Sequence, residues 1–145
     1  MTITSPLGQR MVARRTQALS VGGWAFIVTG VGHLAATTLA PAPEGAAAVR
    51  AQMRTVHVAI GVTRNLSQLM KGFSLAMAGS FVASGAGVLV LARRNILRRR
   101  DPLVAGMAAW STVLLAISLA LFPAPPIVTM LVAVAAFGTA WAAAD

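Results

Sequence analysis

Apolar residues run almost unbroken over residues 17–40, 67–92, 102–123 and 125–144, while polar residues gather at the ends of these runs. Each run is close to the roughly 20 residues that an α-helix needs to cross ~30 Å of hydrocarbon. Helices that are apolar all round must sit in a large core or in lipid, and a 145-residue chain has no core large enough to hide four of them. The pattern predicts an all-α membrane protein. It is an up-down-up-down bundle of four transmembrane helices over 17–145, with a cytoplasmic N-terminal segment, 1–16, and an amphipathic outer segment, 44–66, between the first two spans.

The ends of the runs carry their own signals. Pro41 and Pro43 stop the first, because proline lacks an amide donor and restricts the residue before it. Asp101-Pro102 places a carboxylate at an N-cap and a proline at the first helical position of the third. Pro123, Pro125 and Pro126 force a tight turn that makes the third and fourth runs antiparallel neighbours. Arg10, Arg14 and Arg15 before the first run and Thr38-Leu39-Ala40 at its end also fit a signal peptide with a cleavage site. The length of the run and Pro41 just past the cut favour a retained helix.

Within 44–66, Val49, Met53, Val56 and Ile60 recur at helical spacing, and Arg50, Arg54, His57, Gly61 and Arg64 form a second stripe one residue later. An amphipathic helix is expected, either interfacial and bent at Gly61 or a straight extension of the second span. Its basic face suits phosphates and its apolar face suits lipid. A surface helix without a specific ligand is the plainer reading.

Composition agrees with the pattern: 57% hydrophobic, 10% charged, mean hydropathy +0.77. Charge adds orientation. Arg10, Arg14, Arg15, Arg93, Arg94, Arg98, Arg99 and Arg100 fall on one side, and Arg50, Arg54, Arg64 and Lys71 on the other, eight against four. Positive-inside bias then puts both termini in the cytoplasm. The net charge of +9 is met by anionic lipid headgroups, for which Arg50, Arg54, Arg93, Arg94, Arg98, Arg99 and Arg100 are the candidates. Nucleic acid is excluded as a partner, because a soluble basic domain would not carry four spans. The preference for arginine over lysine and the abundance of alanine fit a high-GC bacterial genome and so a bacterial plasma membrane. With no cysteine, disulfides, thiolate metal sites and quinone-linked thiol chemistry are excluded.

Candidate chemistry is sparse. Glu44, Asp101 and Asp145 lie at or beyond helix ends, so no intramembrane carboxylate is available to carry protons, unlike in small multidrug exporters. His33, His57, Arg64, Gln68, Lys71 and Ser74 are placed to cluster at the outer mouth as a candidate ligand site, with Thr37, Thr38, Asn65 and Ser67 nearby. The plainer reading is an interhelical hydrogen bond from His33 and a snorkelling Lys71. No metal or cofactor is expected. Haem b held by His33 and His57 is disfavoured, because membrane haem ligands sit on packed helices. Trp24 and Trp141 read as interfacial anchors and Trp110 as a packing residue.

Small residues hold membrane helices together, since lipid gives apolar helices no reason to associate. Gly72, Ala76, Ser80 and Ser84, a neighbouring stripe of Gly79, Ala83 and Gly87, and Gly23 and Gly30 in the first run are the expected packing positions. Packing within the chain is the plainer use; a docking face for another subunit, or for a second copy, needs the same side chains.

Gly32-His33 late in the first run and Gly72-Phe73-Ser74-Leu75 early in the second resemble a group of short four-span bacterial membrane proteins of uncharacterised function. The likeness implies the four-helix membrane fold, draws attention to His33, Phe73 and Ser74, and brings no activity or cofactor with it. Three functions are compatible with the residues. The favoured one is a non-enzymatic accessory or assembly subunit of a larger membrane complex. The second is binding or transport of a lipid or small amphipathic ligand at the outer mouth. The third is a membrane enzyme with His33 as acid or base.

Overall fold

A computed structural model describes residues 6–94, 101–122 and 124–143. In chain order these form α1 (Pro6–Leu39), α2 (Ala46–Thr55), β1 (His57–Ile60), β2 (Val62–Asn65), α3 (Leu66–Arg93), α4 (Pro102–Leu121) and α5 (Ala124–Ala142). Four of them, α1, α3, α4 and α5, are long and apolar enough to cross a membrane. α1 starts well before residue 17, so the helix continues through most of the segment expected to precede it.

Local signals fix the ends. α1 stops two residues before Pro41, and the Thr37 and Thr38 hydroxyls donate back to carbonyls in their own last turns, at 3.0 Å to His33 O and 2.7 Å to Leu34 O. Asp101 caps α4 as expected: its Oδ1 accepts from Leu103 N–H at 3.0 Å, with Pro102 opening the helix. α3 opens on a capping box. Asn65 Oδ1 accepts from Gln68 N–H at 2.9 Å, and Gln68 Oε1 accepts from Asn65 N–H at 3.1 Å.

The segment between α1 and α3 departs from the expected helix. Helix α2 ends at Thr55, and an antiparallel hairpin follows in which His57 pairs with Asn65, Val58 with Arg64, Ala59 with Thr63 and Ile60 with Val62. Gly61 sits at the tip with φ +72°, a left-handed conformation that glycine adopts without steric cost. Val56, Val58, Ile60, Val62 and Thr63 are β-branched, stiff at χ1 and suited to extended backbone. Their apolar spacing fits a helix, but their side chains favour a strand. The basic stripe is accordingly broken: Arg50 and Arg54 lie on α2, His57 and Arg64 on facing strands.

The spans pack in the order α3, α1, α5, α4. α3 and α4, consecutive in the chain, have almost no close backbone approach among the described residues. α1 is therefore the centre. Against α3, the Gly23 and Gly85 backbones meet directly, and a Cβ on Gly30 would stand 2.6 Å from Ala78 O. Against α5, the Phe137 ring lies on Gly22, and Thr129 Oγ1 lies 2.8 Å from Thr29 Oγ1. Position numbers rise along α1 as they fall along both partners, so α1 is antiparallel to each.

Phe26, 1% exposed, ties the three together. Its ring centroid is 5.4 Å from that of Phe81 on α3 and 5.9 Å from that of Phe137 on α5, both in tilted or edge-on geometry. On α4, Val104, Ser111 and Ser118 are buried at seven-residue spacing, and the Ser111 hydroxyl donates to Met107 O at 2.7 Å. A seven-residue repeat keeps one seam turned toward a partner. α5 answers with Met130, Ala133, Phe137 and Ala140. Large apolar side chains elsewhere face outward, among them Val21, Val31, Leu75, Val90 and Leu119. Trp110, expected to pack inside, is 53% exposed on this outer surface.

Candidate functional site

The expected mouth lies where α1 ends and α3 begins, with α2 and the hairpin beside the start of α3. His33 extends the seam that Gly23 and Gly30 begin. Its Nε2 lies 2.7 Å from Ser74 Oγ, and both side chains are half-buried. A serine hydroxyl this close to an imidazole nitrogen is within reach of general-base activation. A third group that orients the base is the other half of that arrangement, and no hydrogen bond to His33 Nδ1 is present among the described residues. What the pair visibly does is bridge α1 and α3 at the end where the glycine contacts stop.

The other candidates lie elsewhere. His57 is exposed on β1, with Nδ1 3.0 Å from Thr55 O. His33 Nε2 faces Ser74 on α3 rather than His57 on β1. Among the described residues, no group of three His or acidic side chains could hold a metal ion. Lys71 is exposed. Gln68, read as a possible ligand contact, has its carbonyl committed to the capping box, which the spacing Asn65-x-x-Gln68 signals. Arg64 and Gln68 lead into a shallow groove of about 450 Å³ along α3, floored by Leu69, Gly72 and Ala76 and flanked by Phe73, which is 70% exposed. The structure thus divides the expected cluster between an inner seam, His33 with Ser74, and an outer groove, Arg64 with Gln68.

Of the expected headgroup arginines, Arg50 folds back so that Nε donates to Ala46 O at 3.4 Å, Arg54 lies in the last turn of α2, and Arg93 closes α3 with Arg94 as its C-cap. Arg98, Arg99 and Arg100 lie outside the described residues.

The packing positions divide in a similar way. Gly23 and Gly30 are in the α1–α3 interface as expected. Gly72, Ala76, Gly79, Ser80, Ala83, Ser84 and Gly87 are not: all are exposed, and a Cβ on Gly72, Gly79 or Gly87 would meet nothing within 4 Å. α3 packs through Ala78, Gly85, Val88, Leu89 and Ala92 instead. The selecting feature is complementarity with α1, since Gly23 and Gly30 are spaced seven apart like Gly85 and Ala78. Gly22, Gly85, Ser111 and Ser118 were not singled out by sequence. The seven-residue spacing of the two α4 serines was the available signal.

Compared with protein-family models, curated proteins and solved structures, the chain matches none.

Proposed function

We propose that this protein is a non-enzymatic accessory or assembly subunit of a membrane complex, set in a bacterial plasma membrane with both termini cytoplasmic. The reading rests on the outer face of α3, where seven small residues over Gly72–Gly87 are exposed and leave the backbone open to close approach. Small side chains on a lipid-facing surface gain little from lipid, whereas they let another helix pack against the backbone. The orientation rests on the arginine bias. Native purification in mild detergent with mass spectrometry should recover a stoichiometric larger assembly. G79V/A83L should release the chain from it without lowering its melting temperature. Recovery of the unaltered chain alone, with the variant indistinguishable, would overturn the reading.

A second reading draws on the Arg64 groove, in which a cation stands over an apolar floor beside an exposed aromatic ring. That arrangement suits the headgroup and tail of an amphipathic anion. R64Q should then reduce the amount of co-purifying lipid, and unchanged recovery would remove this reading.

A further inference from the structure

A second groove lies on the other flank of α1 from α3, between α1 and α5. Gln17, Val21, Trp24 and Val28 form one wall and Val128 and Val132 the other, around an open volume of about 380 Å³. Its floor is dry in character, because the polar residues in it are already satisfied. The Ser20 hydroxyl donates to Thr16 O at 2.9 Å, and Thr129 is bonded to Thr29 and its own helix. Beyond the Gln17 amide at its end, such a groove offers contact to hydrocarbon and little to a polar ligand.

Its wall on α1 does not end at Gln17. Arg10 and Arg14 continue the same stripe at spacings of four and three, on one unbroken helix, and both are exposed. At 1.5 Å per residue the stretch from Gln17 to Val28 is roughly 16 Å long, about half of the ~30 Å hydrocarbon layer. The two guanidinium-bearing residues start about 5 and 10 Å beyond it, at the depth of the headgroups. The groove is one leaflet deep and carries positive charge at its polar end.

We infer that the α1–α5 groove is a binding site for one anionic glycerophospholipid, its phosphate held by Arg10 and Arg14 and one acyl chain lying between Trp24 and Val132. This site is separate from the Arg64 groove and from the outer face of α3, so it stands or falls independently of the proposed function.

Trp24 reports on it directly. With Trp110 and Trp141 changed to phenylalanine, the chain in detergent micelles is titrated with phosphatidylglycerol or phosphatidylcholine carrying brominated acyl chains, which quench a tryptophan they touch. Phosphatidylglycerol should quench Trp24 at a mole fraction lower by a factor on the order of ten, as two basic side chains near an anionic headgroup imply. R10Q/R14Q should abolish that preference, and V128F/V132F, which fills the groove and leaves the charge, should abolish it too. Equal quenching by both lipids in the otherwise unaltered chain overturns the inference, as does a preference that survives R10Q/R14Q or V128F/V132F. A dimer that shields Trp24 from both lipids overturns it as well.

Discussion

The two faces of α3 are made of similar residues and do opposite things. Its inner face presents Ser74, Ala78, Phe81 and Gly85 to α1, with backbone against backbone at Gly85. Its outer face presents Phe73, Gly79, Ser80 and Gly87, and a side chain added at either glycine would project into open space. Residue size alone therefore does not say which side of a membrane helix is packed. The deciding element is a matching partner, here the Gly23 and Gly30 pair on α1.

Matched substitutions can break or sharpen this contrast, each placing one change on both faces. Phe81→Ala opens a void beside Phe26 and should cost roughly 3 kcal/mol of unfolding free energy in a detergent or denaturant titration. Phe73→Ala on the outer face should stay within about 0.5 kcal/mol of the parent. Gly85→Val drives a side chain into the Gly23 carbonyl, a backbone atom with little room to yield, and should cost about 1–3 kcal/mol. Gly79→Val should be close to neutral for the isolated chain, by the same titration. The smallest effect belongs to the serines. Ser74→Ala removes the bond to His33 and should cost about 0.6 kcal/mol, the usual worth of an interhelical hydrogen bond in a membrane. Ser80→Ala, whose hydroxyl only donates to Ala76 O in its own helix, should change stability by less. Equal costs on the two faces in any of these pairs would mean that the outer face is also packed in the isolated chain.

The spans, the proline stop after α1 and the Asp101 cap were legible in sequence, because each follows from a local rule: apolar length, a missing amide, a carboxylate beside open N–H groups. The rotation of α3 was not legible. Small residues occur right around that helix, and the choice of face depends on side chains over 40 positions away in the chain, as Gly23 to Gly85 shows. The segment 56–65 forms a hairpin rather than a helix because apolar residues four apart also sit on strands, and the deciding cue is chemical: β-branched residues on both sides of Gly61. Of the expected mouth cluster, the His33–Ser74 pairing follows from the antiparallel register of α1 and α3. Gln68 looked like a free polar group only because its capping partner, Asn65, was assigned to the same cluster.

The central place of α1 bears on how the chain is assembled. α1 precedes both helices that rest on it, α3 and α5, so it enters the bilayer with neither of these partners yet made. α3 can dock soon after insertion. The surface that awaits Phe137 and Thr129 must remain in contact with lipid until α5 has left the ribosome. The bundle's contacts group accordingly, into an α1–α3 pair and an α4–α5 hairpin that rests on α1. Separately expressed halves, divided in the link before Asp101, have the contacts needed to find each other.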